Sequence, residues 1–361
     1  MPVTPEQVLE ALKVVQDPDL HRDIVSLGFV QNVEVDGGAV KFVIELTTPA
    51  CPVKDILQQQ AEEAVKAISG VESVEATMTA RVRSRDAMQE ELLPNVKQVI
   101  AIASGKGGVG KSTVTVNLAV ALSQRGAKVG LLDADVYGPS IPMMMGMAGE
   151  HPLTKDSKII PLERFGIKMM SLGFLLQEGQ SPLWRGPMVA GTVKQLLSDV
   201  AWGELDYLLV DLPPGTGDAP MTLAQSVPLT GVVIVTTPHN VAANIAGSAA
   251  GLFKRLNSTV LGVVENMGRM VLPDGSTMQV FAGKSGEELA QGLGVPFLGA
   301  VPLDPQVSSA ADDGMPSLVK HPETPQAEAF REVAGQVAAQ ASIKALGSQT
   351  TVPGPEFVPR A

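Results

Sequence analysis

Two lysines flank a glycine-rich run in IASGKGGVGKST, residues 102–113. The part from Gly105 to Ser112 fits the spacing G-x-x-x-x-G-K-[ST], in which glycines let backbone N–H groups curl around a phosphate. An apolar segment precedes the loop and a helix-forming segment follows it, as this motif requires. We therefore expect Lys111 to reach the β- and γ-phosphates of a nucleotide and the Ser112 hydroxyl to bind Mg²⁺. The predicted loop comprises Gly105, Lys106, Gly107, Gly108, Val109, Gly110, Lys111, Ser112 and Thr113.

The first lysine of the loop, Lys106, is not required for a phosphate that Lys111 already holds. It is either a solvated surface residue or a positive charge delivered to the nucleotide of a partner chain. In related phosphoryl-transfer chemistry, a charge supplied in trans is worth about 10³–10⁵ in rate. Spacing alone leaves both interpretations open.

Carboxylates follow two apolar segments further along the chain. GLLDAD ends with Asp133 and Asp135, and YLLVDLPPGTGD contains Asp211. A carboxylate at the carboxyl edge of a parallel sheet can orient water or magnesium beside a phosphate loop. We predict that Asp211 holds a magnesium-bound water and that residues 215–217 sense the γ-phosphate, whereas Asp133 is interpreted as a capping residue before the next helix.

These side chains can form one site only if the strands that carry them end at the same edge of a sheet. From 96 to 346, short apolar segments alternate with helical ones, which predicts an α/β domain with a mostly parallel sheet and helices on both faces. Residues 1–83 are predicted to form a small α+β domain of order α-β-β-α-β, followed by a polar linker at 84–95. Residues 347–361 are rich in Pro, Gly and polar residues, which predicts a disordered tail.

Composition narrows the function classes. The formal net charge of −11 argues against a nucleic-acid partner, because phosphate backbones are bound through clusters of Lys and Arg. No apolar run approaches the roughly 18 residues that a membrane helix needs, and the start of the chain does not resemble a signal peptide. With a single cysteine as well, we expect a cytoplasmic protein that does not bind membranes.

The loop sequence SGKGGVGKST resembles the deviant Walker A motif of the ATPases that include MinD, ParA, ArsA and the nitrogenase iron protein. The resemblance implies ATP hydrolysis in a nucleotide-sandwich homodimer, with Lys106 reaching across to the partner's nucleotide. It also implies that Asp135 positions the attacking water.

A narrower resemblance follows from DADVYGPSIPMMMG, from the segment around YLLVDLPPGTGD, and from VVENM. These are similar to the Mrp/ApbC/Nbp35 family of iron–sulfur cluster carriers, and residues 17–30 and 47–52 resemble the MIP18 (DUF59) domain. The resemblance implies delivery of iron–sulfur clusters to apoproteins, or work with cluster assembly factors. It also implies that Asn266 recognises adenine, although a turn residue at the strand end fits the spacing equally.

The chain departs from this family where a cluster would be held. Members that assemble a cluster carry Cys-x-x-Cys shortly after ENM, but residues 272–275 here read LPDG. Iron–sulfur clusters are normally held by four thiolates, and two chains would supply only their two Cys51 side chains. Asp274 is interpreted as a turn former, since carboxylate oxygen is a poor substitute for thiolate. Cys51 precedes Pro52 at the expected N-cap of a helix, which favours a thiolate that contacts metal or sulfur, but a small buried residue is the alternative.

Three functions therefore remain as hypotheses. The first is a homodimeric ATPase that carries iron–sulfur clusters. The second is an ATP-switched scaffold that binds no cluster itself, which the missing cysteine pair favours. The third is a positioning ATPase of the MinD or ParA kind, against which the acidic balance and the lack of a basic amphipathic C-terminal helix both argue.

Overall fold

The computed structural model describes residues 3–20, 22–82, 92–135, 138–175, 186–272 and 274–347, and they form two compact units. The first unit contains 3–48, 53–82 and 339–347, and the second contains 49–52 and 92–338. Most of the predicted linker, 84–91, and the predicted tail from 348 onward lie outside the described residues.

The first unit is a small α+β fold. It contains α1 (Pro5–Leu12), β1 (Gln16–Asp17), β2 (Arg22–Asp23), β3 (Val30–Asp36), β4 (Ala39–Leu46), α2 (Lys54–Lys66) and β5 (Ser73–Ala80). Thr4 begins α1 with a capping box, in which its hydroxyl accepts from the Gln7 N–H. β3 and β4 form an antiparallel hairpin that turns through Gly37 at φ +58°, and β5 pairs parallel to β4. The predicted order is confirmed, except that the antiparallel pair β1–β2 adds two strands too short for any periodicity to indicate.

The second unit is built on a nine-stranded sheet. Its strands, in chain order, are β6 (Val96–Ser104), β7 (Val129–Asp133), β10 (Leu162–Arg164), β11 (Ile167–Ser171), β12 (Leu205–Asp211), β13 (Gly231–Thr236), β14 (Val260–Val271), β15 (Thr277–Gln279) and β16 (Phe297–Leu303). A separate antiparallel pair consists of β8 (Thr154–Lys155) and β9 (Lys158–Ile159). The spatial order in the large sheet is β10-β11-β7-β12-β6-β13-β14-β15, and β16 also pairs with β14. Only the β10–β11 and β14–β15 pairings are antiparallel.

The helices of this unit lie between its strands in the chain or follow the last strand. They are α3 (Lys111–Gln124), α4 (Ile141–Met144), α5 (Gly186–Asp199), α6 (Asp218–Ser226), α7 (Asn240–Arg255), α8 (Gly286–Leu293), α9 (Pro305–Asp312), α10 (Ser317–Lys320) and α11 (Pro325–Gly347). The boundary between the two units falls within α11. Within the described ranges, no helix is both long and apolar enough to cross a bilayer.

The central strands are buried on both faces. Every residue of β7 and β13 is buried, and successive side chains of a strand point to opposite faces, so both faces of the sheet are covered. The predicted α/β class with a mostly parallel sheet is therefore confirmed.

The register of this sheet brings three strand ends together. β12 lies between β6 and β7, and Asp211 pairs with Ile102 on one side and with Asp133 on the other. The carboxyl ends of all three parallel strands thus meet at one edge, immediately beside the loop that follows β6. Lys111, Ser112 and Asp211, which the sequence singled out for phosphate and magnesium binding, meet at this edge.

Candidate nucleotide site

The glycine loop connects β6 to α3, and its backbone geometry requires glycine at two kinds of position. Gly108 and Gly110 both have φ of +78°, a left-handed conformation that disfavours other residues. Gly105 has an ordinary φ, but a Cβ there would lie 2.5 Å from the backbone nitrogen of Ala246 in α7. Glycine is therefore needed at Gly108 and Gly110 for the turn of the backbone, and at Gly105 for the close approach of α7 to the loop. Helix α3 begins at Lys111, directly after the loop.

Asp211 lies at the base of this loop and is the centre of a hydrogen-bond cluster. Its side chain is completely buried at the end of β12. Lys111 Nζ and Ser112 Oγ each donate to Oδ2 of Asp211 at 2.6 Å, and Thr115 Oγ1 donates to Oδ1 at 2.6 Å. The sequence interpretation placed Lys111, Ser112 and Asp211 in one site, and the structure brings all three within hydrogen-bond distance.

Asp133 lies beside Asp211 on the neighbouring strand and is also buried. Burial, followed by the negative charge of Asp211, raises the pKa of Asp133 to about 8, although Lys111 opposes this shift. Ser171 Oγ donates to Oδ2 of Asp133 at 3.1 Å, and the Asp135 N–H donates to Oδ1 at 3.1 Å. The helix-cap interpretation of Asp133 was wrong, because its carboxyl packs inside the sheet edge and the next described helix begins only at Ile141.

Asp135 lies at the mouth of the same cluster. Its Oδ2 is 3.9 Å from Lys111 Nζ, and its side chain is 13% exposed whereas that of Asp211 is fully buried. A partly open carboxylate next to the phosphate-binding lysine has the access to water that a buried one lacks. This placement agrees with the predicted role of Asp135 in orienting water.

Lys106 differs from Lys111 in its surroundings. Lys106 is half-buried. Lys111 forms ion pairs with carboxylates of the described residues, whereas Lys106 forms none with them. The Lys106 carbonyl accepts from Ser104 Oγ at 3.0 Å, so its backbone is held while its ammonium is not committed to a carboxylate of the described chain.

Asn266 comes from β14, two strands away from β6, and contacts the glycine loop directly. Its Nδ2 donates to the Val109 carbonyl at 2.9 Å, and a Cβ on Gly110 would lie 2.2 Å from that nitrogen. Beside it is a cavity of about 190 Å³ that Thr113, Asn266, Met267 and the segment 301–312 help to line. The cavity therefore adjoins both the Asn266 side chain and the start of α3.

The predicted γ-phosphate switch, residues 215–217, follows β12 next to the loop. Gly215 has φ of +104°, and its N–H donates to the Ser104 carbonyl at 2.9 Å. The start of this segment is thus tied to the strand that leads into the glycine loop.

Cys51 comes shortly before α2, whereas the segment after ENM comes between β14 and β15. The helix expected to begin at Cys51 begins at Lys54 with Val53 as its N-cap, so the N-cap prediction for Cys51 was wrong. Pro52 and Val53 form a turn before the first helical residue, and Val53 has φ −106° and ψ 13°. Between β14 and β15, Asp274 Oδ1 accepts from both the N–H and the hydroxyl of Ser276, as expected of a turn former. Within the described ranges, no group of three or more His, Cys, Asp or Glu side chains is arranged to hold a metal.

The sequence interpretation missed two hydroxyls, Thr115 and Ser171. Thr115 is four residues beyond Lys111 and therefore lies on the same face of α3, a spacing that could have indicated it. Ser171 ends β11, and nothing local connects it with Asp133; only the strand order does.

The donor set suits a hydrated Mg²⁺ ion. Ser112 Oγ and Asp211 Oδ2 are hard oxygen donors 2.6 Å apart. Magnesium is usually held by one or two such protein groups together with waters and substrate phosphates, so no all-protein cage is required.

Strand, glycine loop, lysine, hydroxyl and buried aspartate together define a P-loop nucleoside triphosphatase. Comparison with known families supports the same class and narrows it. A family model described as NUBPL iron-transfer P-loop NTPase matches residues 95–338, and a model described as iron-sulfur cluster assembly protein matches residues 5–78. The chain therefore belongs to the NUBPL iron-transfer P-loop NTPase family and carries the assembly-protein domain before it, so the family resemblance noted in the sequence is confirmed.

Similar proteins cover almost the whole chain. An iron-sulfur cluster carrier protein of Synechocystis is 45% identical over 95% of this chain and 99% of its own length. One of Deinococcus radiodurans is 46% identical over 94% and 97%. Among solved structures, a nucleotide-binding protein of Archaeoglobus fulgidus in complex with ADP is 40% identical, covers 69% of this chain and 98% of its own, and has a TM-score of 0.59.

Proposed function

We propose that this chain is an ATP-hydrolysing homodimer that carries iron–sulfur clusters to apoproteins. The observation that carries the proposal is the cluster of Lys111, Ser112 and Asp211 at the base of a glycine loop, in a chain that resembles named cluster carriers from end to end. The ATP-binding residues are 105–113 and Asn266. The cavity beside Asn266 accommodates the base.

In the hydrolytic step, water attacks the γ-phosphorus and the bond to the β,γ-bridging oxygen breaks, which yields ADP and phosphate. Ser112 and Asp211 would hold a hydrated Mg²⁺ ion, which would supply positive charge beside the phosphates. Lys111 leaves Asp211 and donates to the β- and γ-phosphates, and Asp135 accepts a hydrogen bond from the attacking water.

Lys106 acts on the nucleotide of the partner subunit. Its ammonium has no carboxylate partner among the described residues, in contrast to Lys111. A cation at this position stabilises the negative charge on the transferred group when two sites face each other.

ATP turnover tests the mechanism. Lys111→Ala and Lys106→Ala should each lower it strongly, and normal turnover in both variants would refute the mechanism. Mixing Lys106→Ala with Asp135→Ala separates action in trans from action in cis. If Lys106 acts in trans, each mixed dimer contains one site with both defects and one intact site, so a 1:1 mixture should recover up to about a quarter of wild-type turnover. If Lys106 acts in cis, the mixture stays as inactive as its components.

The cargo needs a separate test, because one cysteine per chain leaves a dimer with two thiolates where four are usual. We propose that the two Cys51 side chains contact the cluster and that an external thiol or the recipient supplies the other ligands. Anaerobic reconstitution with iron and sulfide, followed by desalting and iron analysis, compares the wild type with Cys51→Ala. Iron–sulfide absorption that is lost in the variant supports the carrier function.

The single cysteine also favours a second candidate, an ATP-switched scaffold whose partner holds the cluster. No retained iron in either protein, together with a cluster assembly partner that binds only with a nonhydrolysable ATP analogue, would support this alternative. The proposed location of either function is the cytoplasm.

A further inference from the structure

The buried hydroxyl of Thr115 has a role that the loop motif does not include. Thr115 is fully buried in α3, one turn beyond Lys111, and its Oγ1 lies 2.6 Å from Oδ1 of Asp211. Lys111 and Ser112 both donate to the other oxygen, Oδ2. The two carboxylate oxygens of Asp211 therefore have different partners.

Packing and local helix geometry do not account for this hydroxyl. Valine has nearly the same shape as threonine, so a buried packing position does not need the oxygen, and burying a hydroxyl is costly unless it forms a hydrogen bond. A threonine in a helix can donate to the carbonyl four residues earlier, and Thr115 Oγ1 does lie 2.9 Å from the Lys111 carbonyl. It has one proton, however, and the charged Oδ1 of Asp211 is both closer and the stronger acceptor.

The difference between the two oxygens matters when the site is loaded. Lys111 must leave Oδ2 to reach a phosphate, and Oδ2 together with Ser112 then faces the hydrated magnesium. Without a partner on Oδ1, the carboxylate would be free to rotate about its Cβ–Cγ bond. Groups that hydrogen-bond a metal-binding carboxylate hold it in place, and their loss typically weakens metal affinity by about 10–100-fold.

We propose that Thr115 is a positioning residue that holds Oδ1 of Asp211, so that Oδ2 stays directed at the magnesium in the nucleotide complex. The inference rests on the proposed nucleotide site, and it assigns the magnesium dependence of that site to a residue outside the loop motif. Thr115 acts through Asp211 and contacts neither nucleotide nor metal.

Magnesium titration of the ADP complex tests this inference without measuring turnover. A fluorescent ADP analogue is bound first in EDTA, and free Mg²⁺ is then raised while affinity is recorded. Thr115→Val should bind the analogue in EDTA within about twofold of the wild type, whereas its half-saturating Mg²⁺ concentration should rise by at least about tenfold. Thr115→Ser, which retains the hydroxyl, should return that concentration to within about threefold of the wild type.

Thr230→Val is the matched control. The Thr230 hydroxyl is buried in the same unit and accepts from the Val99 N–H at 3.0 Å, remote from Asp211 in sequence. This variant should lose thermal stability but keep the wild-type magnesium dependence. If Thr115→Val does not fold, Thr115→Ala is compared with Thr115→Ser, since both lack the methyl group and only serine has the oxygen.

The outcomes separate the two proposals. Equal magnesium dependence of Thr115→Val and the wild type, or of Thr115→Ser and Thr115→Ala, would overturn the role of Thr115 while leaving the proposed function intact. A wild type that binds no adenine nucleotide would overturn both.

Discussion

The buried ion pair between Lys111 and Asp211 should make a large contribution to the stability of the nucleotide-free protein. Lys111 is 6% exposed and Asp211 is fully buried, and their charged atoms are 2.6 Å apart. Replacing Lys111 with methionine keeps most of the side-chain stem and removes the charge. The carboxylate of Asp211 is then buried, and its side-chain donors among the described residues are the Ser112 and Thr115 hydroxyls.

The expected magnitude follows from this arrangement. Removing one partner of a buried pair typically costs about 3–5 kcal/mol, because the other charge remains buried and uncompensated. Since two hydroxyls still donate to Asp211, we expect the lower end, about 3 kcal/mol. At roughly 2–4 °C per kcal/mol for a unit of this size, the melting temperature should fall by about 6–12 °C.

Scanning calorimetry of the protein in EDTA without nucleotide measures this effect and can resolve separate transitions of the two units. The exposed pair Lys128–Glu204 supplies a matched control, since its charged atoms are 2.7 Å apart but its side chains are 62% and 76% exposed. Lys128→Met should therefore melt close to the wild type, because solvent screens an exposed pair. Equal shifts for Lys111→Met and Lys128→Met would refute the reasoning, because burial would then have no effect on the contribution of the pair.

Three further predictions concern the same site. The pKa of Asp133 is raised to about 8, so the folded protein holds a proton that the unfolded chain releases near pH 4. The associated stability, at most about 6 kcal/mol, is complete below pH 4 and is lost as the pH rises from about 4 to 8. Melting temperatures from pH 5 to 9 should therefore fall more steeply for the wild type than for Asp133→Asn. Gly110→Ala should lower the stability of the nucleotide-free protein by about 2 kcal/mol, because it adds left-handed strain and displaces Asn266. Gly107→Ala should melt like the wild type, because Gly107 has no positive φ and a Cβ there would have no atom within 4 Å. Asn266→Asp should weaken ADP binding more than Asn266→Ala in equilibrium titrations, since it sets a carboxylate against the Val109 carbonyl; equal losses would contradict that explanation.

Local patterns were sufficient to predict the phosphate loop and the fold class. The glycine spacing identified Lys111 and Ser112, and the apolar segments identified the parallel strands, because both signals lie within one element. Asp211 was found for the same reason, as an acidic residue that ends an apolar strand.

Relations between distant elements were predicted less well. Ser171 meets Asp133 only because β11 pairs with β7, and strand order cannot be read from periodicity. Asn266 was predicted to contact a base, but its observed bond to the Val109 carbonyl has no local sequence signal. Cys51 was misplaced because the helix begins at Lys54, three residues later than predicted, which shows that boundaries are harder to predict than the elements themselves.

The bond between Asn266 and Val109 also has a consequence for the order in which the protein matures. The two residues are 157 positions apart, and Asp211 follows Lys111 by 100 positions. At about 5–20 residues per second, a ribosome needs roughly 10–30 s to proceed from the glycine loop to Asn266. During the first part of that interval the nascent chain displays the complete loop motif before Asp211 has been added, and Asn266 follows later still. The nucleotide site therefore needs residues from well past the middle of the ATPase unit, although its signature is among the first parts to be translated.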